Sequence, residues 1–232
     1  MSLDTDTVQE TSENTQAVVS PAFDSQIDAA QVPFRLGLFG GTFDPVHVGH
    51  LHIAERAYEQ FKLNGVLFIP AGIPAHKDQT EISGASHRYA MLLKAIKGNG
   101  HFDVSQIEIQ RSGITYTIDT LHIIKERFQN HAELFFIVGA DTAVEIGTWK
   151  DANEVTKLVT VLSARRTITP AQGQGSAPLQ ASCALDLCPI DSALVDISSR
   201  ELRESVKAGK SIRYLVPDEV CTYIQEQGLY RG

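Results

Sequence analysis

The segment Gly40-Gly41-Thr42-Phe43-Asp44-Pro45-Val46-His47-Val48-Gly49-His50 concentrates the residues of this chain best suited to chemistry. Two adjacent glycines let a backbone come close to a ligand. A short apolar run precedes them and a helical pattern follows, so the segment ends at a helix N-terminus. Free N–H groups and a partial positive charge there suit phosphate. His47 and His50 are three residues apart and share a face if helical. Gly49 between them leaves room for a bulky group, and both imidazoles can donate to phosphate oxygens. No Gly-Lys-Ser/Thr follows, so this is not a Walker loop, and no G-x-G-x-x-G dinucleotide fingerprint is present. Two competing readings remain. One is a metal site built from His47, His50 and His52, with Asp44 as the obvious further ligand; the other is histidines satisfied structurally.

A second candidate anion site lies near the other end, in Ile197-Ser198-Ser199-Arg200-Glu201-Leu202-Arg203. Ser198 or Ser199 can cap the helix that follows. Arg203, one turn in, can fork onto phosphate oxygens. By itself the segment is equally an ordinary helix cap with a solvated arginine.

The elements that must hold these segments alternate between strand and helix. Leu36–Phe39 is a buried strand running into Gly40-Gly41. Val48–Phe61 has helical spacing at Leu51, Ala54, Ala57, Tyr58 and Phe61. Val66–Ile69 reads as a strand, Ser86–Ile96 as a helix, Phe102–Ile109 as a strand and Thr117–Phe128 as a helix. Leu134–Val138 is a buried strand, Glu154–Leu158 helical, Val159–Leu162 a strand. A last strand at Leu194–Ile197 and helices at Ser199–Lys207 and Asp218–Gln227 close the chain. Continuous apolar strands separated by helices predict an α/β fold: a Rossmann-like, doubly wound, mainly parallel sheet with helices on both faces and a small C-terminal helical part. Ligands of such sheets sit beyond the strands' carboxyl ends, where Gly40-Gly41 falls. Residues 167–191 break the rhythm and read as a loop.

Composition narrows the function classes. The net charge is -8, but residues 1–34 carry six acidic residues and no Lys or Arg, leaving 22 acidic against 20 basic in the rest. A near-neutral body gives no reason to expect nucleic-acid binding. Residues 1–34 are expected to be an acidic, disordered extension and 35–232 the functional domain. No apolar run approaches the ~20 residues of a membrane helix, so no membrane partner is expected. Cys183, Cys188 and Cys221 are odd in number and lack C-x-x-C spacing, which fits reduced thiols in a cytoplasmic protein.

With these residues in view, the first segment resembles the (T/H)xGH signature of the nucleotidyltransferase superfamily, in its GTFDPxHxGH form. Residues 197–203 are similar to its ISSTxIR signature, with Arg200 where that pattern has Thr. The middle of the chain resembles the nicotinate-nucleotide adenylyltransferase family. Pro74-Ala75-His76-Lys77 is similar to PPHK, with Ala75 for a proline. Thr115-Tyr116-Thr117-Ile118-Asp119-Thr120 is similar to SYTxDT, and Gly139-Ala140-Asp141 with Trp149 to its GxD…W element. Tyr214-Leu215-Val216-Pro217 and Gly228-Leu229-Tyr230 are like its ending.

That resemblance implies transfer of AMP from ATP to nicotinate mononucleotide in NAD synthesis, with Mg²⁺ accompanying ATP and no protein-bound metal. It implies catalytic roles for His47, His50 and Arg203. It implies ATP contacts at Gly40, Gly41, Thr42, Phe43, Gly49, Gly139, Asp141, Arg165, Ile197, Ser198 and Ser199. Nicotinate mononucleotide would meet Lys77, Thr115, Tyr116, Thr117, Asp119 and Trp149. The residues agree physically. Trp149 can stack on a pyridinium, although it could equally anchor the core. Thr115–Thr117 present hydroxyls and amides for a carboxylate. Asp119 and Asp141 can accept from ribose hydroxyls or merely cap helices, and Lys77 can meet a phosphate or simply be solvated. The near alternatives are nicotinamide mononucleotide or phosphopantetheine as acceptor; the distant one is a non-catalytic nucleotide-binding protein. A homo-oligomer is left open.

Overall fold

In a computed structural model the described residues are 21–28, 32–74, 82–128, 131–164 and 187–231. Six parallel strands form one sheet in the order β4-β2-β1-β6-β7-β8. These strands are β1 (Phe34–Gly41), β2 (Gly65–Pro70), β4 (Phe102–Val104), β6 (Ala132–Val138), β7 (Thr160–Ala164) and β8 (Leu187–Ile190). A separate two-residue pairing joins β3 (Ile73–Pro74) to β5 (Ile114–Thr115). The strand order reverses between β1 and β6, which pair in register from Phe34↔Ala132 to Phe39↔Ile137. Their carboxyl ends, Gly40-Gly41 and Val138-Gly139, therefore open the crevice that doubly wound sheets use for ligands.

The strands are apolar on both faces because both faces are covered. Leu36 and Leu38 of β1, Leu67 and Ile69 of β2, and Leu134 and Phe136 of β6 enter one core. Helices α4 (Thr117–Phe128) and α6 (Ala152–Leu158) cover that side. The intervening residues Phe39, Val66, Phe68, Phe135 and Ile137 enter the other core. That side is covered by α2 (Val48–Gln60), α3 (Ala85–Ala95), α7 (Ser199–Lys207) and α8 (Asp218–Glu226). A two-residue period on each strand thus feeds two cores.

Three segments differ from expectation. The strand expected over Phe102–Ile109 stops at Val104. There the Ser105 hydroxyl accepts the Ile107 amide at 3.2 Å and turns the chain out of the ladder. The last strand lies at Leu187–Ile190, pairing with β7, and not at Leu194–Ile197. In that region the Ile197 amide bonds the Val195 carbonyl at 3.0 Å, a local closure that takes the place of a ladder. Finally, part of the expected acidic extension is helical: α1 (Pro21–Asp28) buries Phe23 and Ile27 in the first core. The Phe23 ring lies so close to Gly65 that a β-carbon there would approach it at 2.5 Å. Asp24 of α1 pairs with Arg127 of α4 at 3.2 Å. Two apolar residues four apart seat this short helix, a signal that the acidic composition of residues 1–34 hides. Among the described residues, no helix is long and apolar enough to cross a membrane.

The docking of α1 has a measurable consequence. Phe23→Ala should lower the unfolding free energy by about 3–5 kcal/mol, the range for a fully buried phenylalanine, in urea denaturation of the full chain. A change below about 0.5 kcal/mol, the usual size for a surface site, would mean that α1 is not part of the core.

Candidate active site

The loop between β1 and α2 forms the floor of a cleft of about 870 Å³ at the switch point. Gly40, Gly41, Thr42, Phe43, His47, Gly49 and His50 line it from this loop. Gly139 lines it from the end of β6, and Ile197, Ser198, Ser199, Arg200 and Arg203 from the start of α7. The two segments singled out by sequence thus meet across one cavity although about 150 residues separate them.

The loop keeps its shape through bonds to other elements. The Thr42 carbonyl accepts from Arg88 Nη1 at 3.0 Å. The Asp44 carbonyl accepts from Arg203 Nη1 at 2.8 Å, and the Pro45 carbonyl from the Ser199 hydroxyl at 2.9 Å. Carbonyls held by protein donors are not free to repel an incoming anion. The Asp44 side chain, 1% exposed, accepts from the Tyr230 hydroxyl at 2.6 Å on Oδ1 and from the Ser83 amide at 3.1 Å on Oδ2. Phe43 adopts φ of 52°, a left-handed conformation that costs a non-glycine residue about 1–3 kcal/mol. Burial holds it there: its ring packs against Phe39, Phe68 and His50 with centroids 5.0–5.7 Å apart. A side chain at Gly49 would crowd the site, because a β-carbon would lie 3.0 Å from His47 Nδ1 and press on the imidazole.

The two histidines stack, with ring centroids 3.7 Å apart and planes 29° from parallel. The His50 Nδ1 accepts the His47 amide at 3.2 Å. In the neutral ring this leaves the proton on Nε2, so that nitrogen is a donor. His47 is buried, with Nδ1 meeting no hydrogen-bond partner among the described residues. Burial pushes its pKa down from 6.5 to about 4, so it is neutral at pH 7. In the free protein the cleft therefore holds a neutral imidazole at His47, with the guanidinium of Arg203 facing it and that of Arg200 at the rim. A metal site on Asp44 would have to displace Tyr230 and Ser83. Among the described residues, no three His, Cys, Asp or Glu side chains are placed to hold a metal ion.

The proposed acceptor residues form a second cluster around β5 and the start of α4. The Thr115 hydroxyl is committed to Glu108 Oε2 at 3.0 Å, and the Thr120 hydroxyl to Glu108 Oε1 at 2.8 Å. Burial raises the Glu108 pKa, and these hydrogen bonds work against that rise. Asp119 is paired with Arg111 at 3.3 Å and with Lys150 at 3.4 Å. The Lys150 ammonium also lies 4.7 Å from the Tyr116 ring centroid. Thr117 begins α4. Trp149 is half-buried, edge-on to Phe136 at 5.8 Å, so core packing positions it while part of its surface remains open. Asp141 lies on helix α5 (Ala140–Glu145), which Gly139 precedes. Lys77 and Arg165 lie outside the described residues.

Sequence reasoning missed Arg88, Ser83, Glu108 and Lys150, and read Tyr230 only as part of a terminal motif. Arg88 had a signal. It shares the buried stripe of α3 with Met91 and Leu92, at i, i+3 and i+4, and a charge on an apolar stripe marks a buried polar task. Its guanidinium, 2% exposed, donates to the carbonyls of Ser83, Thr42 and Gly72 at 3.0–3.1 Å.

Comparison with known proteins shows the chain's family and fold. Residues 38–205 match the Cytidylyltransferase-like family. A Desulfitobacterium hafniense (strain Y51) protein named "Probable nicotinate-nucleotide adenylyltransferase" is 42% identical over 208 residues, covering 86% of this chain and 97% of that protein. A relative of the same name from Thermoanaerobacter sp. (strain X514) is 40% identical, covering 85% and 94%. In fold, the chain is similar to Plasmodium falciparum nicotinic acid mononucleotide adenylyltransferase complexed with NaAD. The TM-score is 0.66 at 18% identity, covering 84% of this chain and 97% of that one.

The depressed basicity of His47 predicts a pH effect on stability. The unfolded imidazole binds a proton near pH 6.5, whereas the folded one does so only near 4. Stability should therefore fall as pH drops from about 6.5 to about 4, by up to about 3 kcal/mol from this group, and no further below that. Urea unfolding across this range should show the loss in the wild type and a clearly shallower slope in His47→Asn. Identical slopes would assign the effect elsewhere.

Proposed function

This chain belongs to the nicotinate-nucleotide adenylyltransferase family, and we propose that its cleft binds ATP by the triphosphate while the Thr115–Asp119 and Trp149 cluster holds nicotinate mononucleotide. The reaction joins a phosphate oxygen of the mononucleotide to the α-phosphorus of ATP. The bond from that phosphorus to the bridging oxygen breaks, and pyrophosphate leaves with the electron pair; the other product is deamido-NAD. The acceptor phosphate is anionic at neutral pH, so no protein nucleophile is required. Mg²⁺ enters as part of the ATP substrate, where it offsets charge on the leaving oxygens.

The observation that carries this reading is the convergence of His47, His50 and Arg203 on one cleft from opposite ends of the chain. A binding-only relative would be expected to lack part of that set. The protein's task is to bring two anions together and stabilise charge as it shifts. Arg203 supplies the permanent charge. His50, with Nδ1 committed to the backbone, offers Nε2–H to a phosphate oxygen. His47 enters neutral, and a phosphate arriving beside it favours its protonated form. Its added charge is thus available only once the substrate is bound, which spares the free protein a buried cation.

At the acceptor cluster, Trp149 can stack on the pyridine ring, and the cationic groups Arg111 and Lys150 make the surroundings favour a carboxylate over an amide. Thr115 contributes through its backbone, since its hydroxyl is engaged. Asp119 is available to a ribose hydroxyl only by sharing its oxygens with those cations.

Pyrophosphate release from Mg²⁺ and ATP should be rapid with nicotinate mononucleotide and at least about tenfold slower with nicotinamide mononucleotide, since a charged partner adds on the order of 1–2 kcal/mol. Equal rates would move the acceptor assignment, and silence with both would remove the activity. His50→Ala should reduce kcat by about 10²–10³, the usual cost of one donor to a transition-state oxyanion, with the unfolding midpoint little changed.

A further inference from the structure

The strongest unassigned feature lies behind the phosphate cleft. The loop from Thr42 to His47 makes no helix or strand, yet it must present α2 and both histidines in fixed positions. The carboxylate of Asp44 is its buried centre. The hydroxyl of Tyr230, 186 residues away in sequence, donates to that carboxylate at 2.6 Å. Tyr230 follows Gly228 by two residues, and that glycine turns the backbone out of α8 with φ of 62°. A tyrosine at φ of 64° adopts a conformation normally left to glycine. The chain accepts that strain and aims the phenol inward between α3 and the loop, where it also lies within 3.9 Å of Met91 Sδ. Arg88 and Arg203 are the cations near this pair. Both of them also hold loop carbonyls, at Thr42 and Asp44.

We infer that Tyr230 is a positioning residue for the nucleotide site: through Asp44 it holds the Thr42–His47 loop, so that the end of the chain forms part of the support for ATP phosphate binding. The phenol touches no substrate. It acts by fixing the Asp44 side chain, and with it the backbone carbonyl that Arg203 grips. Without the hydroxyl, Oδ1 is left as a buried acceptor with no donor. The loop then relaxes toward other donors, among them the nearby cations Arg88 and Arg203, which the phosphate cleft needs where they are. The acceptor cluster packs on the opposite core and is linked to this network only at one remove, through Arg88, which also bonds the Gly72 carbonyl beside Glu108; neither Tyr230 nor Asp44 bonds the cluster, so the main effect falls on ATP. This rests on the assignment of the cleft to ATP made above.

The test is calorimetric titration of the full chain with a non-hydrolysable ATP analogue and Mg²⁺, and separately with nicotinate mononucleotide. Tyr230→Phe keeps the ring and removes only the hydroxyl. It should weaken the analogue about tenfold, as expected for one lost bond to a buried charge, while leaving nicotinate mononucleotide within about twofold. In turnover, kcat and the KM for ATP should change while the KM for the mononucleotide should not. A double-mutant cycle with Asp44→Asn should be non-additive, because one change removes the hydroxyl and the other the charge that it bonds. Wild-type affinity for the analogue in Tyr230→Phe, or equal weakening of both ligands as from general destabilisation, would overturn the inference. If the wild type binds the analogue but releases no pyrophosphate with the mononucleotide, the acceptor assignment fails, and the analogue titration still decides the role of Tyr230.

Discussion

A loop without secondary structure must find donors for its carbonyls elsewhere or leave them facing its ligand. In this protein the loop between β1 and α2 finds them in side chains from distant elements. Arg88 of α3 takes the Thr42 carbonyl, Arg203 of α7 the Asp44 carbonyl, and Ser199 the Pro45 carbonyl. Most other features of the site depend on this. The cleft floor stays free of loop carbonyls that would oppose phosphate, and the left-handed Phe43 is pinned in the core. Buried positive charge is tolerated because each Arg88 nitrogen meets a carbonyl and Asp44 lies nearby. A salt-bridge description would understate this: the arginines serve first as multi-pronged donors to backbone.

The parallel sheet supplies the frame. Reversal of strand order between β1 and β6 leaves a gap at their carboxyl ends, and α2, α5 and α7 all begin at that gap. Their first turns bring the positive dipole ends of three helices to it. The Ser198 hydroxyl caps α7 by accepting the Glu201 amide at 3.2 Å. Ser199, one residue on, turns outward to the loop. The two adjacent serines thus divide the work of ending one helix and bracing another element. Arg200, the departure from the family pattern, is exposed at the cleft rim.

The paired histidines show how burial sets chemistry. A histidine in water is part-charged at neutral pH; stacked on His50 and shut away from solvent, His47 is neutral. The charge at His47 is therefore conditional on the contents of the cleft, unlike that of Arg203. The acceptor cluster follows the opposite plan, with Arg111 and Lys150 already paired to Asp119.

Much of this was legible in the residues themselves. The alternation of apolar runs and helical spacing defined the parallel α/β fold, and helices Thr117–Phe128 and Ser199–Lys207 have the bounds read from sequence. The glycines and histidines of the first loop and the Ser-Ser…Arg of the second identified themselves by chemistry and spacing, because local backbone needs leave local marks. Strand ends were less legible. Whether residues 105–109 or 194–197 join a ladder depends on a partner strand, and no pattern within the segment encodes its neighbour. The docking of α1 was hidden for the same reason, since Phe23 and Ile27 gain their burial only against the distant surface around Gly65. What tertiary structure alone decided is the pairing of groups far apart in the chain: Tyr230 and Arg203 with Asp44, Arg88 with Thr42. Each of these is a hydrogen bond between groups that carry no sequence periodicity, and such a bond exists only once packing has excluded water and brought donor and acceptor together.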